Sequence, residues 1–356
     1  MIGTTKRFNP ITSTIDFTRL PSNSSRPQPV VRKESLIYRL HPEREKGKLI
    51  FQIGTASPEL AVAAAKLVAE DVAGIDVNAG CPKPFSTFGG MGAALLQTPD
   101  LLASILTALV KQVGEVYEIG ISVKIRLLET IEKTESLVRK LCSTGITGLT
   151  IHCRTTPMRP RERAIRDQLR MIADICRENG VACLMNGDVK NRDEALQLVQ
   201  KYGVDGAMIA TAAEANSSVF RTQAEGGLLP WKEVVSEYMK TALEVENKWG
   251  NTKFLLSQLM PGKAEVYRRI VGCRGYRQVC EVLELDDLAD LAKEVDERIG
   301  IDEEKETKAM KKAKHQNKSA QAAGGDMSTQ RSMDKMKRNH VSERGVGKPV
   351  KLAMTA

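Results

Sequence analysis

The chain has 356 residues, a net charge of +9 and only 4% aromatic residues. No apolar run approaches the roughly 18 residues of a membrane span. The seven cysteines are scattered without a CxxC pair, which supports neither a disulfide framework nor a zinc or other metal site. The length suits one large domain with a smaller one attached. Free cysteines and the lack of an apolar leader core behind Met1–Arg7 suit the cytoplasm, with the nucleus as a second compartment.

In chain order, Thr4 to Phe17 reads as a β-hairpin around Asn9-Pro10. Leu49–Ile53 is a short apolar strand, and Pro58–Ala73 a helix with Ser57 as N-cap and proline in its first turn. Gly74–Val77 is a buried strand that runs into Asn78-Ala79-Gly80-Cys81-Pro82. A glycine turn, Gly89 to Gly92, then opens into Ala93–Leu96. Four more helices follow, Pro99–Val113 (Thr98 as N-cap), Ile131–Ser143, Ala164–Glu178 and Arg192–Lys201. They alternate with strands Ile121–Ile125, Gly148–His152, Val181–Met185 and Gly206–Ile209. Six strands with helical crossovers imply a parallel α/β sheet.

Each strand ends in a polar or small residue: Gln52, Asn78, Lys124 with Arg126, His152 with Arg154, Asn186-Gly187-Asp188, and Ala210-Thr211. Crossovers gather these ends on one face. That face is the active site of a (β/α)8 TIM barrel, whereas a doubly wound sheet uses its switch point. No GxGxxG follows the first strand, which favours the barrel. The last two strand ends, small and backbone-exposing, suit a phosphate group. Cys81, a thiol at a strand end, suits proton donation, since a free cysteine is mostly protonated at neutral pH; a buried structural cysteine is the plain alternative.

Beyond Leu228 the pattern turns helical: Trp231–Lys248, Asn251–Met260, a break at Pro261-Gly262, then Ala264–Cys273 and Asp286–Ile299. Lys253, Lys263, Arg268, Arg269, Arg274 and Arg277 make this region basic. The whole formal charge lies further on. From Lys305 to the end, 13 Lys/Arg face 4 Asp/Glu, while residues 1–304 hold 40 of each sign. This tail lacks Phe, Trp and Tyr and is expected to be disordered, with a polyanion such as nucleic acid as the partner it suits and a solvated, solubilising end as the plain alternative. The divisions expected are 1–227 for the barrel, 228–300 for a helical RNA-facing domain and 301–356 for the tail.

Together these segments resemble the dihydrouridine synthases, flavin enzymes that reduce uridine in tRNA. The resemblance rests on Gly74–Pro82, Gly89–Leu96, Val123–Arg126, Ile151–Arg154 and Asn186–Asp188, and covers roughly residues 1–290. It is strongest for the eukaryotic type acting on position 20 of the D-loop. The resemblance implies FMN as cofactor, NADPH (or NADH) as reductant and tRNA as partner; the sequence leaves the oligomeric state open, with a monomer as the expectation. It implies Cys81 as the proton donor to uracil C5. It implies Gln52, Lys124, His152, Asn186, Gly187, Asp188, Ala210 and Thr211 as FMN contacts. Asn78 would lie beside the flavin and the target base. Arg126 and Arg154 are candidates for substrate phosphates, with structural ion pairs as the alternative.

Two departures stand out. Thr211 occupies a place where many members carry arginine, and only six of the eight strand-helix units of a closed barrel can be counted. The chain therefore reads as lacking the first two strands. Two other functions stay open: a truncated, non-catalytic tRNA-binding relative, which the missing strands make a serious alternative, and an FMN barrel acting on a free pyrimidine, against which the basic tail and helical region argue.

Overall fold

The computed structural model describes residues 5–19, 34–262 and 265–301. The expected tail, Lys263, Thr4 and Ala264 lie outside them.

A small antiparallel sheet comes first: β1 (Thr5–Asn9), β2 (Thr14–Arg19) and β3 (Ser35–Leu40), in that order. The hairpin is the expected one, and β3 is an addition. Phe17 and Leu40 are fully buried in the main core, and Tyr38 meets Phe51 edge-on at 5.1 Å. The Arg39 guanidinium holds Asp16 through Nε and Nη2, at 2.5 and 2.6 Å.

After α1 (Pro42–Glu45), six parallel strands run in strict sequence order: β4 (Ile50–Ile53), β5 (Gly74–Asn78), β6 (Gly120–Leu127), β7 (Gly148–Thr155), β8 (Ala182–Asn186) and β9 (Gly206–Met208). A doubly wound sheet reverses direction at its switch point. This one never reverses, so every crossover leads the same way round, as in the wall of a (β/α) barrel. The crossovers carry α2 (Pro58–Val68), α3 (Pro84–Thr87) with α4 (Pro99–Leu109) and α5 (Glu115–Tyr117), α6 (Ile131–Cys142), α7 (Leu169–Glu178) and α8 (Arg192–Tyr202).

Side chains alternate across a strand, and here the alternation separates two functions. Ile75, Val77, Ile121, Val123, Ile125, Leu149, Ile151, Cys183 and Met185 are all buried to 1% exposure or less, on the face where α2, α4 and α7 pack on β4, β6 and β8. Burying each large aliphatic chain contributes roughly 1.5–3 kcal/mol. The opposite face carries Gln52, Asp76, Asn78, Ser122, Lys124, Arg126, His152, Arg154 and Asn186. Register sets them side by side, with Gln52 opposite Asp76, Asp76 opposite Ser122, Asn78 opposite Lys124, Arg126 opposite His152, and His152 opposite Asn186.

Helix starts follow local chemistry. Ser57, Thr130 and Asn191 cap α2, α6 and α8 by accepting from the N–H three residues on. Thr98, expected to cap α4, makes no such bond; Pro99 starts that helix instead. α2 stops at Val68 and tightens into a 3-10 turn, short of the expected Ala73. α4 widens into a π-turn at Val110–Gly114 and continues as α5. The helix expected from Ala164 begins only at Leu169. The preceding residues form a loop, because the Ala164 N–H donates to Asp188 Oδ2 at 2.8 Å and the Ile165 N–H to the Cys153 carbonyl at 2.7 Å.

After α9 (Thr211–Ala215) the chain is helical: α10 (Trp231–Glu244), α11 (Trp249–Leu259), α12 (Glu265–Gly272), α13 (Tyr276–Leu283) and α14 (Ala289–Arg298). α10 ends before the expected Lys248, where Glu246 takes a positive φ and Arg39 donates to the Val245 and Glu246 carbonyls. α13 was not expected. Its Tyr276 is fully buried, lies edge-on to Trp249, and donates its hydroxyl to the Asn247 carbonyl at 2.6 Å.

Candidate active site at the strand C-terminal ends

The polar face of the sheet is ordered by a relay of hydrogen bonds that starts at a buried carboxylate. Asp76 accepts from Ser122 Oγ and from Gln52 Nε2, both at 2.7 Å. An ionised carboxylate can only accept, so it fixes which end of the Gln52 amide faces it. Gln52 Oε1 is thereby turned to accept from Asn78 Nδ2 at 3.0 Å. That bond in turn leaves Asn78 Oδ1 to accept from the Gly80 and Cys81 N–H groups, at 3.1 and 3.0 Å. This Asx turn sets the entry of the Cys81 loop.

The exit of that loop is set by Gly92. Its φ is +59, and a Cβ there would meet the Ser86 hydroxyl and lie 2.6 Å from the Cys81 carbonyl oxygen. Only glycine permits this approach, and it lets the Ala93 N–H donate to the Cys81 carbonyl at 2.9 Å. Cys81 itself is half-buried and free.

Lys124 stands between the relay and β7. Burial pushes its ammonium pKa down, Asp76 opposes that, and Arg126 adds to it; burial likewise pushes the Asp76 carboxyl up against its hydrogen bonds. Arg126 is largely buried. It donates through Nε to the Gly80 carbonyl at 2.7 Å and through Nη1 to the Thr155 carbonyl at 2.9 Å.

His152 is neutral. Burial, then Lys124, Arg126 and Arg154, hold its pKa down to about 3, with only Asp188 pulling the other way. Arg154 Nη1 lies 3.2 Å from His152 Nε2. Arginine can only donate, so Nε2 accepts and Nδ1 carries the ring proton. Arg154 also donates to the Glu162 carbonyl at 2.7 Å and the Pro160 carbonyl at 3.0 Å, and pairs with the Asp188 carboxylate. Of the two readings for Arg154, the ion pair is the one its geometry fills.

The Asn186-Gly187-Asp188 turn comes next. Asn186 Nδ2 donates to the Met208 carbonyl at 3.0 Å, linking β8 to β9. Gly187 has φ +118, and a Cβ there would lie 3.3 Å from both Ala164 Cβ and His152 Cδ2, so the turn packs its bare backbone against the imidazole. Asp188 adopts φ 53, and its carboxylate turns onto Arg154 and the Ala164 N–H. Ala210 and Thr211 open α9, a helix of only five residues.

The strand-end residues picked out by sequence therefore converge on one face: Gln52, Asn78, Lys124, Arg126, His152, Arg154 and Asn186 from the strands, and Cys81, Gly187, Asp188, Ala210 and Thr211 from the following turns. Sequence reasoning missed Asp76, Ser122 and Arg166. The first two sit on the polar side of the β5 and β6 alternation, and that parity was the available signal. Arg166 donates to the Gly187 and Asp188 carbonyls, at 3.0 and 3.1 Å, from a loop with no periodicity. In the helical region Lys253 donates to the Cys273 carbonyl at 3.0 Å and Arg277 pairs with Glu281 at 3.1 Å, while Arg268 and Arg269 are exposed.

Comparison with known proteins places this geometry. A tRNA-dihydrouridine(20) synthase (NAD(P)+) from Schizosaccharomyces pombe is 53% identical over 248 residues, covering 70% of this chain and 49% of that protein. One of the same description from Saccharomyces cerevisiae is 43% identical over 289 residues, covering 80% and 73%. The tRNA-dihydrouridine synthase B of Proteus vulgaris is 32% identical over 202 residues, covering 56% and 60%. The chain thus spans about half the length of the S. pombe relative. Residues 25–272, which include every strand of the parallel sheet and the whole hydrogen-bond relay, match the family Dihydrouridine synthase (Dus), and to that family this chain belongs.

Proposed function

We propose that the chain reduces the C5=C6 bond of a uridine in the tRNA D-loop, with FMN as its flavin and NADPH (or NADH) as reductant. The observation that carries this reading is the relay from Asp76 through Gln52 and Asn78 to the backbone of Cys81. It spends three oriented side chains on holding one half-buried thiol at the mouth of a polar strand face.

The residues fit a flavin. The face offers a partly buried cation in Lys124, a neutral N–H donor in His152 Nδ1, and the bare Gly187 backbone beside the imidazole. Lys124, His152 and the Asn186–Asp188 turn would hold the ring and its tail, with Gln52 at the far wall. Ala210 and Thr211 would offer backbone N–H groups and a hydroxyl to a phosphate. When bound, reduced FMN supplies the hydride that adds to uracil C6.

The chain's own residues do the rest. Cys81 Sγ–H gives its proton to C5 as negative charge develops on the uracil, and the thiolate regains a proton from water. Asn78 orients the base beside Cys81. Lys124 supplies the positive charge that a reduced flavin ring favours. His152, held neutral with Nε2 on Arg154, donates from Nδ1 and does not exchange protons near neutral pH. Arg126 fixes the base of the Cys81 loop. The target uridine must leave its stack to reach this face.

In the same reading residues 1–227 carry the flavin chemistry, 228–300 and the basic tail face RNA, and the protein works as a monomer in the cytoplasm and nucleus. The test is direct. Purified protein should show a visible flavin spectrum that NADPH bleaches, and it should form dihydrouridine in unmodified tRNA at the D-loop. Protein that holds flavin yet leaves tRNA unmodified would overturn the substrate; protein that takes up no added FMN would overturn the enzyme reading.

A further inference from the structure

The two most exposed large apolar side chains among the described residues are Phe88, at 89%, and Phe85, at 79%. Both lie within or next to α3, the single helical turn that follows Cys81. Spaced i, i+3, they share one face of that turn. The exposed Lys83 precedes them. Two bare rings three residues apart, in a chain with only seven phenylalanines, are not the scatter of single exposed hydrophobics seen on any surface.

A second loop rises from β7. It carries Arg159, Arg161 and Arg163, all exposed, and among the described residues none of the three guanidinium groups is in an ion pair. The loop is not loose. Arg154 holds its Pro160 and Glu162 carbonyls, Asp188 holds its Ala164 N–H, and Glu162 Oε2 accepts from the Arg159 N–H at 2.6 Å. It is a fixed cationic ridge within residues 1–304, whose formal charges sum to zero.

Arg126 joins the two loops. One guanidinium donates to Gly80, at the root of the aromatic loop, and to Thr155, at the root of the arginine loop. The rings and the ridge therefore spring from the same anchor, beside Cys81 and above the polar strand face.

From this juxtaposition we infer that the two loops grip the single-stranded nucleotides flanking the reduced uridine: neighbouring bases stack on Phe85 and Phe88, and their phosphates pair with Arg159, Arg161 and Arg163. The inference rests on the tRNA reading above and says which part of the RNA is held and by what. Aromatic faces accept any base, and arginine forks match phosphate oxygens. An acidic protein would use the ridge but leave the rings without a partner.

The experiment measures binding of a fluorescently labelled, unmodified tRNA transcript to full-length protein across a salt series, with dihydrouridine formation followed separately. For R159Q/R161Q/R163Q the slope of log affinity against log salt should shrink by about 2, the counterions of three single-strand phosphates. For F85A/F88A affinity should fall roughly tenfold or more with the slope unchanged. F85Y/F88Y should keep affinity, while F85L/F88L, which preserves apolar area but no ring face, should lose it. An arginine triple variant with an unchanged slope would overturn the inference. So would phenylalanine variants that bind tRNA normally, or that only dissolve a dimer in sedimentation. If those results came from protein that still forms dihydrouridine, the loops alone would be refuted. Protein gripped by tRNA as described but forming no dihydrouridine would refute the catalytic reading and leave the loops standing.

Discussion

His152 should make this protein sensitive to mild acid in a way that one substitution removes. In the fold its pKa is held down to about 3, against 6.5 for a free histidine. A histidine with a depressed folded pKa binds protons in the unfolded chain first. Its contribution is therefore fully present above 6.5 and is lost as pH falls from there toward 3. At about pH 5 the unfolded imidazole is almost wholly protonated and the folded one is not, which costs about 2 kcal/mol. That figure depends on the unfolded value alone, so long as the folded pKa stays well below 5. His152→Gln removes the titration while its amide oxygen can still accept from Arg154. Urea unfolding at about pH 7.5 and pH 5 measures the effect. The parent should lose about 2 kcal/mol more than the variant between the two, a midpoint difference of roughly 0.7 M at an m-value near 3 kcal/mol/M. Equal acid sensitivity in the two proteins would mean that His152 takes up a proton in the fold, and would refute both its neutrality and the Nδ1 donor role derived from it.

Four further outcomes follow from the site. Cys81→Ala should retain flavin that NADPH reduces, while dihydrouridine formation drops by about 10²-fold; near-normal turnover on tRNA would remove Cys81 from its role. Asp76→Leu removes both acceptors, so nothing fixes which end of the Gln52 amide faces Asn78 and turnover should fall, while Asp76→Glu recovers part of it; full activity in the Leu variant would break the relay argument. Gly92→Ala should destabilise the protein by about 2–4 kcal/mol, from left-handed strain and the clash with Ser86 and Cys81, read as a lower melting temperature; an unchanged melting temperature would contradict the close approach. Deleting the chain from Lys305 should flatten the salt dependence of tRNA binding, and an unchanged slope would mean that this basic segment does not touch RNA.

The parallel strands were readable because each is a compact β-rich run followed by a helix with its own start signal, such as Ser57-Pro58. The strand-end chemistry was readable because polar residues interrupt those runs at their C-termini. β3 was missed because a Pro- and Ser-rich stretch of fifteen residues, 20–34, separates Ser35–Leu40 from its partner β2, so no short hairpin pattern joins the two. α13 was passed over because Gly272 and Gly275 stand just before it and read as a break, yet Tyr276 and Val279 are both fully buried. The loop before α7 was read as helix because its composition allows one; what prevents it is tertiary, the claim of Asp188 on the Ala164 N–H. Asp76 looked like a mere interruption of an apolar strand, and its meaning depends on Gln52 and Ser122, each brought to it only by strand pairing.

The alternation along the parallel strands has a consequence for how this protein tolerates change. On β5 to β8, odd-numbered positions face the helices and even-numbered positions face the chemistry. A saturation scan of those strands should thus sort by parity. Replacing Val123 or Ile151 would deplete the amount of folded protein and leave the specific activity of what remains. Replacing Lys124 or His152 would leave abundance near normal and silence the protein. Neighbours in the chain would answer to different selection pressures, one acting through solubility and turnover in the cell, the other through the modified nucleotide. Drift in the catalytic repertoire of such a sheet can therefore proceed without first loosening the scaffold that carries it.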